Sequence, residues 1–242
     1  MRVARLVAGL VLSGLALLAA GVVLSVAAAR AATGPYRHDA LPYRYTDKTA
    51  AAAARTRVIA VYIDSDFELL ERDRIASALR QWNHVLNGFL RFRATLLPED
   101  PSDRELNMVR RSGGWIIAKV DHRHSAARAP AALALTAGSL GGPGGGFVYV
   151  IADRFAVGDL TAVILHELGH VLGAGHDPHG HLMSPVYDRT NGHCIDRGAV
   201  AMVAAAQRLP LSQLNWCTGP GLDSGRYSSR WILRNTRVSR AS

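Results

Sequence analysis

Cysteine is nearly missing from this chain of 242 residues; the only two are Cys194 and Cys217. So small a number excludes a disulfide-dense scaffold and a four-cysteine zinc module. Lysine is as scarce, since Lys48 and Lys119 are the only two among 28 basic residues. Arginine therefore carries the charge, and alanine is abundant, a pairing that fits a GC-rich coding sequence. Nothing resembling Gly-Lys-Ser/Thr follows the glycine tract between Gly141 and Gly146, which excludes a phosphate-binding loop there. No internal repeat is present. Apolar residues, by contrast, make up 49% of the chain and charged residues 19%. That content supports a packed core and excludes wholesale disorder. The length suits one good-sized domain with extensions.

The formal net charge of +9 invites a nucleic-acid reading, but its placement argues otherwise. Leu6 to Ala29 is a run of 24 residues without a charge, preceded by Arg2 and Arg5. As a helix it would be roughly 36 Å long, enough to cross a bilayer. A charged start and an apolar run describe both a signal peptide and a signal anchor over residues 1–32. The length favours an anchor, whereas the small residues from Ala27 to Ala32 suit cleavage. In either case the remainder is exported, with Arg2 and Arg5 on the cytoplasmic side. Residues 33–55, with Gly34-Pro35 and no apolar periodicity, read as a linker. Residues 223–242 form a basic tail with five arginines, suited to solvent or to anionic lipid or envelope polymer. Between these ends, residues 33–222 hold 20 basic against 18 acidic side chains, so the folded part is nearly neutral. Export also disfavours a nucleic-acid partner, and a monomer is expected.

The domain is expected over residues 56–222. Val58 to Ile63 is rich in β-branched residues and reads as a strand. From Leu69 to Phe89, apolar residues recur every three or four positions, predicting an amphipathic helix of about 20 residues with Trp82 on its buried face. Leu90 to Leu97, Trp115 to Val120 and Phe147 to Ile151 read as further strands, Pro98 to Arg111 as a polar loop, and the glycine tract as a flexible connection. This order suggests an α+β (α/β-like) domain with a mixed sheet.

Chemistry concentrates after Asp159, which is placed to cap a helix from Leu160 to Leu172. Within that helix stands His166-Glu167-Leu168-Gly169-His170. Two histidines four apart leave the same helix face and can grip one Zn²⁺, with Glu167 beside them. Gly173 can take a positive φ, so the helix can stop and the chain turn back to bring His176 to the same metal. Three nitrogens and an open fourth position are the pattern of a catalytic zinc.

His166-Glu167-x-x-His170-x-x-Gly173-x-x-His176, followed by Met183, resembles the metzincin metalloendopeptidases. The string Leu182-Met183-Ser184-Pro185-Val186-Tyr187 is similar to their matrixin branch. The resemblance implies a metzincin fold: a twisted mixed sheet, two long helices, and a cleft over a small C-terminal subdomain. It implies Met183 as a hydrophobic floor beneath the zinc and Pro185, Val186 and Tyr187 as the wall of a side-chain pocket. It also implies that Ala132, Leu133, Ala134, Leu135 and Thr136 form the sheet-edge strand that pairs with an extended peptide. The implied activity is hydrolysis of peptide bonds in extracytoplasmic proteins, by a zinc-activated water with Glu167 as general base. The alternative is a catalytically weak zinc-binding protein on the same scaffold, although Glu167 would then be superfluous.

The chain departs from the matrixins in several places. Asp177 follows the third histidine where they carry serine or threonine. His122 and His124 lack the partners of a second zinc, and Asp153 alone represents the acidic cluster of a calcium site. No cysteine precedes the catalytic motif, so a cysteine-switch inhibitory peptide is absent. His179 and His181 stand close enough to compete for the metal, but His176 fits the Gly173 turn. Cys194 and Cys217, in an exported protein, are expected to pair.

Overall fold

A computed structural model describes residues 44–50, 56–187 and 194–219. The apolar run at 6–29, the cleavage or anchor junction and the basic tail lie outside the described residues. Among the described residues no helix is long and apolar enough to cross a membrane.

The chain runs β1 (Arg44–Tyr45), β2 (Arg57–Ile63), α1 (Leu69–Val85), β3 (Leu90–Leu96), α2 (Asp103–Arg111), β4 (Trp115–Val120), β5 (Ala134–Gly138), β6 (Gly146–Ile151), α3 (Leu160–Val171), α4 (Arg197–Gln207) and β7 (Cys217–Thr218). Five strands form one sheet in the order β3-β2-β4-β6-β5. Four are parallel, and β5 runs antiparallel to β6 at the edge. This is the α+β fold with a mixed sheet expected from the sequence. The central strand β4 is covered on both faces at Trp115, Ile116 and Ile117 and therefore reads as an apolar run; Val61 of β2 and Val148 and Val150 of β6 are buried beside it.

Helix α1 starts with a capping box between Glu68 and Glu71. It buries Ile75, Ala78, Leu79, Trp82 and Val85, a stripe at helical spacing. Leu69 and Leu70, counted in the apolar periodicity, are exposed. The helix ends at Leu86 because Asn87 and Gly88 take positive φ, 47° and 86°. Trp82 is fully buried, and its indole N–H donates to the Leu165 carbonyl of α3 at 2.9 Å. That bond joins the two long helices at the level of the histidine motif.

The stretch from Pro98 to Arg111, expected as a loop, contains α2. Its signal was present as Ser102-x-x-Glu105, whose side chains form a capping box. The helix buries no side chain, so no apolar stripe announced it. The glycine tract is packed rather than loose. Gly141 donates to the Val171 carbonyl, and Gln207 donates to both the Gly141 and Leu172 carbonyls, clamping the end of α3.

Residues 44–48, within the stretch read as a linker, pair with the C-terminal end. β1 lies antiparallel to β7, and Lys48 donates to the Leu214 carbonyl at 2.8 Å while stacking over Trp216. A disulfide joins Cys194 and Cys217 beside them. Such a bond persists in an oxidising compartment.

Candidate functional site

Helix α3 is held by its apolar residues: Leu160, Ile164, Leu165 and Leu168 are almost fully buried. Asp159 does not cap it with its side chain. A short 3₁₀ turn over Val157–Asp159 leads into the helix instead, and the Asp159 carboxylate accepts the hydroxyl of Tyr187 at 3.1 Å. That contact ties the segment Pro185–Tyr187 to the start of α3. Val186 is 72% exposed, and its main chain is held by the Ser184 hydroxyl, which donates to its carbonyl and accepts its N–H.

Two glycines shape the site. Gly169 sits between the two helical histidines, where a Cβ would meet the Met183 sulfur at 2.5 Å. Met183 is buried directly against that helix turn. Gly173 has φ +93°, and a Cβ there would meet Ala206 at 2.8 Å. The chain reverses at this point, with Gly173 donating to the His170 carbonyl and Ala174 to the Gly169 carbonyl. The returning chain delivers His176. A bond from Asp177 N–H to the Met183 carbonyl then closes the following loop.

His166, His170 and His176 are brought together, with one nitrogen of each within 4.8 Å of the others. Nε2 of His170 lies 3.1 Å from Nε2 of His166 and 3.1 Å from Nε2 of His176. The other ring nitrogens are occupied. Nδ1 of His166 donates to the Leu182 carbonyl at 2.7 Å, and Nδ1 of His170 to the Ala174 carbonyl at 2.8 Å. A neutral imidazole that donates through Nδ1 keeps a lone pair on Nε2. Burial pushes His166 down to about 4, with His170 adding to the effect, and burial lowers His170 and His176 as well. Unprotonated Nε2 atoms facing one another at such distances repel unless a cation lies between them, so the donor set fits zinc. His179 and His181 are outside this group.

Glu167 is only 6% exposed. Its carboxylate accepts the Thr136 hydroxyl from β5. Burial raises its pKa to about 7, and the Thr136 hydrogen bond opposes the rise.

The edge strand begins two residues later than expected. Ala132 and Leu133 precede β5; the Ala132 carbonyl accepts Arg154 and the Leu133 carbonyl accepts Ile151 N–H. In an antiparallel pair only alternate residues bond to the neighbour. The Leu133–Ile151 and Ser139–Gly145 bonds set that alternation. Leu135 and Ala137 therefore pair inward with β6, and the main chain of Ala134 and Thr136 points to the open edge.

One residue of the site was not singled out from sequence. Asp196, 1% exposed, accepts Gly198 and Ala199 N–H with Oδ1, capping α4. Its Oδ2 accepts Leu182 N–H at 2.9 Å. Leu182 is also the residue whose carbonyl holds His166. An aspartate before an apolar helix signals the cap; nothing local signals the bond to Leu182.

No protein-family model matches the chain, and no curated protein matches it. Solved structures do. The chain is similar to high choriolytic enzyme 1, a hatching enzyme zinc-protease from Oryzias latipes, at 20% identity over 49% of this chain and 44% of that chain, with a TM-score of 0.30. It is also similar to metalloproteinase-II from Bacteroides fragilis, at 14% identity over 65% of this chain and 53% of that one, with a TM-score of 0.39. The chain thus spans about half the length of these two structures.

Proposed function

We propose that the chain is an extracytoplasmic zinc endopeptidase of the metzincin type, closest to the matrixins in its Leu182–Tyr187 string. The observation that carries this reading is the convergence of His166, His170 and His176 on one point beside a buried glutamate. The Cys194–Cys217 bond supports the location outside the cytoplasm. In this reading residues 1–32 direct export, 33–55 lead into the catalytic domain at 56–222, and 223–242 form the basic tail.

His166, His170 and His176 hold the zinc, which supplies Lewis-acid polarisation of the scissile carbonyl and acidifies water. The chain's own groups supply the rest. The Glu167 carboxylate takes the proton of the attacking water and passes it to the leaving amine. Its burial and its bond from Thr136 hold that carboxylate beside the three histidines. The Nδ1 bonds to Leu182 and Ala174 hold two imidazoles in the tautomer that presents Nε2. The main chain of Ala134 and Thr136 pairs with an extended peptide. Pro185 to Tyr187 line the pocket for the side chain after the cleaved bond, with Tyr187 fixed by Asp159.

A quenched-peptide library, incubated with the protein with and without a chelator, tests this function. Zinc-dependent cleavage supports it. One zinc per chain with no cleavage of any peptide overturns it in favour of a zinc-binding protein.

A further inference from the structure

Among the described residues, Thr136 is the one sheet side chain that hydrogen-bonds to the proposed general base. Along β5 the side chains alternate: Ala134 and Thr136 are half-buried, whereas Leu135 faces solvent at 44% exposure. The alternation sends the Thr136 hydroxyl onto Glu167. A hydroxyl carries one proton, and two acceptors lie near it: the Glu167 carboxylate Oε2 and, at 3.4 Å, the Glu167 main-chain carbonyl. The carboxylate is the nearer and the stronger acceptor.

A glutamate side chain has three rotatable bonds and loses considerable freedom when fixed. General-base catalysis needs it fixed, because the proton must be met at hydrogen-bond distance. No other hydrogen bond to this carboxylate is present among the described residues.

We propose that Thr136 is a positioning residue for Glu167, its hydroxyl holding Oε2 while its main chain faces the open edge where the peptide pairs. The proposal rests on the endopeptidase reading given above. One residue then links peptide docking to the orientation of the base. Valine at this position keeps the shape but loses the donor; serine keeps the donor.

The test uses the full chain with Thr136→Val, Thr136→Ser and Thr136→Ala. In steady-state cleavage, Thr136→Val should lower kcat by about tenfold or more with KM within about twofold, and Thr136→Ser should restore kcat to within about threefold. All three variants should bind one zinc. A second readout needs no activity: the side-chain carboxyl ¹³C resonance of Glu167 in metal-free protein, assigned by its loss in Glu167→Gln. It should move in Thr136→Val and Thr136→Ala and return in Thr136→Ser. Parent kcat in Thr136→Val, or a change confined to KM, overturns the proposal, as does an unmoved resonance. If Thr136→Val fails to fold, Thr136→Ala and Thr136→Ser decide by the same two readouts. If the parent chain cleaves no peptide, the endopeptidase reading fails, and the resonance alone decides whether Thr136 holds Glu167.

Discussion

Replacing Asp196 by alanine separates what the fold needs from what the proposed zinc site needs. The Asp196 carboxylate makes three hydrogen bonds, two to the first turn of α4 and one to Leu182. Loss of a helix cap costs about 1 kcal/mol. Leu182 N–H is buried, and leaving such a donor unpaired costs about 1–3 kcal/mol more. Asp196→Ala should therefore lose about 2–4 kcal/mol, a large part of a typical 5–15 kcal/mol. Asp196→Asn keeps an oxygen for the cap but turns an amide N–H₂ towards the Leu182 donor. It should retain more stability than alanine, yet weaken zinc binding to a similar degree. Because the Leu182 carbonyl holds His166, we expect zinc affinity to fall about tenfold in both variants. Urea unfolding of metal-free protein and competition with a zinc chelator measure the two effects. An Asp196→Ala protein with parent stability, or with parent zinc affinity, would refute the chain of contacts from Asp196 through Leu182 to His166.

Gly169→Ala places a methyl group against the Met183 sulfur; overpacking costs about 1–3 kcal/mol, against about 1 kcal/mol gained in helix propensity. Thermal unfolding should show a net loss, and Gly169→Ala combined with Met183→Ala should lose less than the sum of the single changes; additivity would place Met183 elsewhere. Removing the disulfide by Cys194→Ala with Cys217→Ala should cost about 3 kcal/mol in urea unfolding, and an unchanged midpoint would count against a structural role for the bond. Burial pushes Tyr45 up to about 12. Its folded pKa then lies above the unfolded value near 10, so its contribution is present below pH 10 and is lost as the pH rises towards 12. The loss should reach about 2–3 kcal/mol and vanish in Tyr45→Phe, as followed by chemical unfolding against pH; a parent-like pH dependence in that variant would exclude Tyr45 as the source.

The histidine cluster was legible because its pattern is local in sequence. The spacing of His166 and His170 is set by one helical turn, and Gly173 announces the reversal that brings in His176. Trp82 was legible as a buried helix residue from its spacing, but its bond to Leu165 depends on how α1 lies across α3. Helix α2 escaped the periodicity because it buries nothing, although its capping box was written in Ser102 and Glu105. The resemblance placed the start of the edge strand at Ala132, whereas β5 begins at Ala134; the Arg154 guanidinium, which binds the carbonyls of Ala127, Ala129 and Ala132, holds the chain before it. Asp159 looked like a cap, but the 3₁₀ turn before α3 leaves its carboxylate to Tyr187. Thr136 and Asp196 act across the fold, over 31 and 14 positions of sequence, and no local pattern marks such a pair.

The central claim is that Glu167 moves the proton while the three histidines hold the metal. It is tested most directly by Glu167→Gln, measured for bound zinc and for peptide cleavage in the same sample. The account predicts one zinc per chain, as in the parent, with cleavage reduced by about a hundredfold or more. Cleavage at the parent rate with zinc still bound would contradict it.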